Sequence, residues 1–128
     1  MRIGKVIGVV TPGRIHPSLS GGQLKMVAPF TFEDLTSETA EEAAEDGDYS
    51  GQAARLLLAT KNPKPAGTEV VVYDELSAGL GEWVAFSEGA EAAMPFYPTM
   101  KPIDAYAAAI LDQLEIDRQY DKQKKVKP

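Results

Sequence analysis

Residues 68–87 read Thr68-Glu69-Val70-Val71-Val72-Tyr73-Asp74-Glu75-Leu76-Ser77-Ala78-Gly79-Leu80-Gly81-Glu82-Trp83-Val84-Ala85-Phe86-Ser87. The runs Thr68–Leu76 and Glu82–Ser87 are rich in β-branched and aromatic side chains and read as two strands. Between them Ser77–Gly81 is a tight loop whose glycines permit positive φ and close backbone approach. Gly79-Leu80-Gly81 opens like a dinucleotide fingerprint, but Val84 stands where the third glycine belongs. The loop also runs into a strand, so it offers no helix N-terminus to a phosphate.

Upstream, residues 2–11 are Val- and Ile-rich on both parities (Ile3, Ile7 and Val9 against Val6 and Val10), which predicts a strand buried on both faces. Pro12-Gly13 and Ser18–Gly22 read as turn and loop. Residues 23–32 alternate, with Leu24, Met26, Ala28, Phe30 and Phe32 on one face. Ala53–Thr60 is a short apolar run that fits strand or helix, closed by the turn-forming Asn62–Gly67. Downstream, Gly89–Pro98 reads as extended coil. Ile103, Tyr106, Ala107, Ile110, Leu111 and Leu114 recur at helical spacing, which predicts an amphipathic helix over 103–116, with Pro102 and Asp104 at its start. Strands first and one helix last give a mainly β protein, a small five-stranded β-barrel of Greek-key type with a C-terminal α-helix.

The chain has 128 residues, one histidine and no cysteine. That length fits one domain able to bury its own core without a staple. The absence of cysteine excludes a thiol nucleophile and Cys-ligated metal, and fits a reducing cytosol. The longest apolar run, Ala105–Leu111, is seven residues, far short of the roughly 20 that span a bilayer. The N-terminus reads as a strand rather than a signal peptide. The net charge of −6 is local: residues 33–48 carry eight acids and no base, and elsewhere 13 basic side chains face 11 acidic. This block, within 33–52, reads as an exposed loop, with a short helix near 40–46 as the alternative. Arg118, Lys122, Lys124, Lys125 and Lys127 make the end of the chain basic.

The residue types that carry chemistry do not converge. His16 lies in a polar loop before Pro17 with no nucleophile or carboxylate near it in sequence, and reads as a loop hydrogen-bonding residue. Asp74, Glu75 and Glu82 could form an acid/base pair, but carboxylates at turns ordinarily bond the turn itself. Trp83, Phe86, Tyr73, Phe30 and Phe32 could form a base-stacking platform. The patterned strands carry little of the positive charge that such a platform needs, which favours packing. No catalytic, metal or cofactor set emerges, and the profile is that of a structural or interaction protein.

Three stretches together resemble a known family. Met1–Val10, followed by His16-Pro17-Ser18-Leu19 and Gly22–Val27, is similar to its opening strand, loop and second strand. Asp74-Glu75-Leu76-Ser77-Ala78-Gly79-Leu80-Gly81-Glu82-Trp83-Val84 resembles its motif D-x-(V/I/L)-G-A-G-x-G-E-x-V. Ser87–Ala93 and Lys101–Asp112 resemble its closing segments. The family is the EutN/CcmL type of bacterial microcompartment and carboxysome vertex protein, and the likeness covers residues 1–32 and 68–116. Ser77 stands where the family usually has glycine, and Ala93 where many members have arginine.

The resemblance implies a barrel related to the oligonucleotide-binding (OB) fold, assembled as a homopentamer. Such pentamers cap the vertices of a cytoplasmic protein shell among hexameric and trimeric shell proteins, without enzymatic activity, cofactor, nucleic acid or membrane. It places Ser77, Ala78, Gly79, Leu80, Gly81 and Glu82 at the subunit interface or five-fold axis, with Trp83 and Val84 packed behind them. Residues 1–117 then form one barrel domain, with 33–67 inserted as an acidic loop and an extra hairpin at Ala53–Thr60, and 118–128 a flexible basic tail. Two rivals remain: a single-stranded nucleic-acid or protein-binding module on the same barrel, and a small hydrolase using Asp74 or Glu82.

Overall fold

The computed structural model describes residues 1–35 and 68–117. Most of the acidic insert, the possible helix near 40–46, the apolar run Ala53–Thr60 and the basic tail lie outside the described residues. The chain divides into two compact units, Met1–Thr31 with Pro65–Asp112, and Phe32–Lys64 with Gln113–Pro128. In the second unit Phe32–Leu35 forms one helical turn, so the acidic stretch opens on helix rather than loop. Glu33 and Asp34 suit its N-terminal end, where backbone N–H groups point outward.

The first unit holds five strands: β1 (Arg2–Val10), β2 (Gln23–Phe30), β3 (Val70–Asp74), β4 (Trp83–Glu88) and β5 (Ala105–Leu111). They close into a barrel in the order β1-β2-β3-β5-β4. Every pairing is antiparallel except β3 with β5, which run parallel and meet at a single register position, Tyr73 opposite Tyr106. Val6, Val27, Val72, Val84, Phe86, Ala105 and Ala107 fill the core, with Val70 and Ile110 packed against them. Gly89–Phe96, expected as extended coil, winds instead into 3₁₀ turns that bury Ala92.

The predicted C-terminal helix is not there: its first half is β5, and residues 113–117 are irregular. The misreading has a specific cause. β5 pairs with β4 in register up to Ala107 opposite Phe86, then skips, so that Ala109 faces Ala85 and Ile110 faces Val84. Ala108 is the extra residue of a β-bulge. The inward series therefore runs Ala105, Ala107, Ile110, and the three-residue step imitates the spacing of a helix.

A second bulge, at Ile7, explains the apolar residues on both parities of β1. Val6 pairs with Val27 and Gly8 with Met26, leaving Ile7 over. β1 is accordingly not buried on both faces: Gly4 and Val6 are buried, whereas Ile7 and Val9 are 42% and 56% exposed. In β2 the core residue is Val27, on the parity opposite to the alternating set. The members of that set within β2, Leu24, Met26, Ala28 and Phe30, lie outside the barrel, where Phe30 packs on Trp83 with ring centroids 4.7 Å apart.

Candidate functional site

The β3–β4 loop is held by its own two carboxylates. Asp74 is 1% exposed. Its Oδ1 accepts the Leu76 N–H and its Oδ2 the Ala78 N–H, both at 2.8 Å. Glu82 Oε1 accepts the Gly79 N–H at 3.1 Å, and the Glu82 N–H returns to the Gly79 carbonyl at 3.1 Å, closing the turn. Gly81 N–H donates to the Val6 carbonyl at 2.8 Å and Val6 N–H to the Glu82 carbonyl at 2.9 Å. These two bonds carry the β1–β4 ladder into the loop.

The six residues singled out from the sequence therefore sit together but differ in kind. Ala78 is buried, its methyl group part of the barrel core, so it anchors the loop rather than offering a surface. Ser77, Gly81 and Glu82 are exposed, and Leu80 projects from the apex at 66% exposure. Gly81 adopts φ +85°, which its missing Cβ makes unstrained. Ser77 adopts φ +61°, a conformation that costs a side-chain-bearing residue about 1–2 kcal/mol. Ser77→Gly should therefore raise the stability of the subunit by about 1 kcal/mol, read as a higher urea midpoint at unchanged m-value.

Carboxylates committed to backbone donors make a brace, not an acid/base pair. Glu75, the third candidate, accepts the Tyr106 O–H at 2.7 Å. That bond, with burial and the Glu75 charge, pushes the Tyr106 phenol up to about 12, so it stays protonated as the donor at physiological pH. The Tyr73 hydroxyl, also raised, chiefly by burial, reaches the Leu19 carbonyl at 3.4 Å. Four of the five aromatic residues proposed as a stacking platform are buried, with Phe86, Tyr73, Trp83 and Phe30 at 0–6% exposure, while Phe32 is half-buried. His16 Nδ1 accepts the Ser18 N–H at 3.2 Å and lies 2.7 Å from Ser18 Oγ, capping the Pro17–Leu19 turn. Among the described residues, no His, Asp and Glu side chains gather in threes around a cation position.

Sequence reasoning missed the joint between β3 and β5. There Phe96 packs edge-on against Tyr73 and Tyr106, with centroids 5.9 and 5.0 Å apart. The Lys101 ammonium lies 4.5 Å from the Phe96 ring centre and 5.3 Å from that of Tyr73, and it donates to the Ser18 carbonyl. Beside this joint opens an apolar groove of about 610 Å³ walled by Leu19, Leu24, Val70, Val71 and Ile103, with Glu88 and Asp104 among its lining residues. No local motif announces such a groove, because its walls come from separate parts of the chain. The Asp74 brace had a signal, an Asp just ahead of a glycine-containing turn.

Comparison with known proteins agrees with this geometry. A sequence model of the family described as "Ethanolamine utilisation protein EutN/carboxysome" matches residues 1–112. The carboxysome shell vertex protein CcmL of Gloeobacter violaceus is 26% identical over 117 residues, 91% of this chain and 88% of that protein. Its solved structure superposes with a TM-score of 0.61 at 25% identity, covering 91% of each chain. The pentameric microcompartment shell protein GrpN of Rhodospirillum rubrum is 30% identical, with a TM-score of 0.58, over 91% of this chain and all of that one.

Proposed function

We propose, since this chain belongs to the EutN/CcmL family, that it is a structural protein forming the pentameric vertex cap of a bacterial microcompartment shell. The observation that carries this reading is the match of 91% of this chain to a relative described as a pentameric shell protein and 30% identical to it. The vertex role follows from the relative described as a shell vertex protein. The strand order, with its parallel β3–β5 contact, supports an OB-like description of the barrel.

Five-fold closure requires heterologous contacts, in which one patch of a subunit meets a different patch of its neighbour. We assign the β3–β4 loop to such contacts or to the axis: Ser77, Gly79, Leu80, Gly81 and Glu82 are presented there, while Ala78 and Val84 hold the loop from the core and Trp83 packs on Phe30 outside it. Hexameric and trimeric shell proteins as neighbours, a cytoplasmic location, a 1–117 barrel domain and a separate 118–128 tail belong to the same reading. Light scattering on the purified protein tests it. A particle of about five times the 13.8 kDa chain mass is expected, and a monomer would sink it.

A further inference from the structure

We infer that the ring is closed by a knob-and-hole contact, in which Leu80 of one subunit seats in the groove beside the β3–β5 joint of the next. This rests on the pentameric reading. A heterologous contact needs two complementary patches on different sides of the subunit. Leu80 sits on a loop that extends the β1–β4 ladder through Gly81 and Glu82. The groove lies at the β3–β5 joint. In the closed order β1-β2-β3-β5-β4 these two seams are not adjacent in either direction. Val71, 45% exposed, is itself one of the groove's lining residues. Leu80, at 66% the most exposed apolar side chain of the β3–β4 loop, projects beside the β1–β4 seam through the Gly81 bond to the Val6 carbonyl.

The two patches also match in character. The Asp74 and Glu82 carboxylates and the Val6 bonds hold the backbone around Leu80 in place before contact, so little ordering entropy remains to be lost on docking. The groove walls are mainly apolar, with Glu88 and Asp104 among them, and its volume suits a loop apex rather than one methyl group. Val71 continues the surface towards β1 through its partner Met26 and then Gly8, so the hole opens onto an apolar strip rather than a polar rim on that side.

The experiment pairs one variant of each patch. Leu80→Asp removes the knob and Val71→Asp spoils the hole, both at exposed positions that leave the barrel core untouched. Each should weaken association about a hundredfold or more and run as a folded monomer at concentrations where the unmodified chain is a pentamer. Mixed together, they should form heterodimers and stop there. A Val71→Asp subunit still offers its knob to the intact groove of a Leu80→Asp subunit, and the complex has no second intact pair. Leu80→Lys should assemble better than Leu80→Asp, because the groove carries Glu88 and Asp104. Circular dichroism and thermal melting of each variant keep misfolding separate from lost contact. Pentamers from either Asp variant, or folded monomers that give no heterodimer on mixing, would overturn the inference while leaving the pentamer standing. A monomeric unmodified chain would remove the pentameric reading itself.

Discussion

Gly4→Ala should be among the most damaging single-methyl additions in the barrel, lowering stability by about 3 kcal/mol. Gly4 lies in β1 between Pro29 of β2 and Val84 of β4. A Cβ there would stand 2.4 Å from Val27 Cγ1, 2.8 Å from the Ala28 carbonyl oxygen and 3.1 Å from Phe86 Cε1. None of these can step aside cheaply. Val27 and Phe86 are core residues, and the Ala28 carbonyl belongs to a strand of the closed sheet. Glycine inside a strand normally weakens it, so its presence here marks a close approach of neighbours across a narrow barrel. Two other glycines serve as controls. Gly13 has open space and an ordinary φ, so Gly13→Ala should fall within about 0.5 kcal/mol of neutral. Gly81 also has open space but φ +85°, so Gly81→Ala should cost about 1–2 kcal/mol through backbone strain alone. Urea midpoints at one protein concentration rank the three, since oligomer stability depends on concentration. Equal midpoints for Gly4→Ala and Gly13→Ala would refute the packing argument.

The same narrowness decides which parts of the fold could be read from the sequence. β3 and β4 were legible because each is a short β-branched or aromatic run bounded by turn residues. β1 and β2 were legible as strands but not in their facing. Their outer sides are also apolar, and Ile7 breaks the alternation at a bulge. β5 was misread because Ala108 inserts a step of three into an alanine-rich strand, and alanine carries no strand signature. The loop was legible as a glycine turn with flanking carboxylates. The division of labour within it was not: Ala78 faces the core and Leu80 faces out, although both are apolar and two residues apart. That difference arises where Asp74 holds the Ala78 N–H and Glu82 bonds both the N–H and the carbonyl of Gly79, the residue between them, and no periodicity encodes it. The groove depends on β3 and β5 meeting at one position only, a feature of topology rather than of local pattern.

Replacing Asp74 by alanine should cost about 3 kcal/mol and abolish assembly at concentrations where the unmodified chain is a pentamer. The carboxylate is buried, and each oxygen accepts one backbone N–H at 2.8 Å. Hydrogen bonds to a charged group contribute roughly 1.5–3 kcal/mol, and their loss also leaves the two donors, Leu76 N–H and Ala78 N–H, without their acceptors. Asp74→Asn should fall between, because an amide oxygen can keep one of the two bonds while its NH₂ group meets a donor in place of the other. Glu82→Ala should cost the subunit less than about 1 kcal/mol, since Glu82 is exposed and braces only the Gly79 N–H. The order Asp74→Ala, Asp74→Asn, Glu82→Ala in denaturant midpoint separates a buried brace from a solvated one. Assembly then gives the second half of the test. If the loop matters to the ring because it holds Leu80 in place, Asp74→Asn should weaken the pentamer more than its own loss of subunit stability explains. That comparison is made in the Leu80→Asp background, where the subunit is monomeric and its intrinsic stability is read without the ring. An Asp74→Asn pentamer no weaker than subunit stability accounts for would detach the brace from assembly and leave it a purely local device.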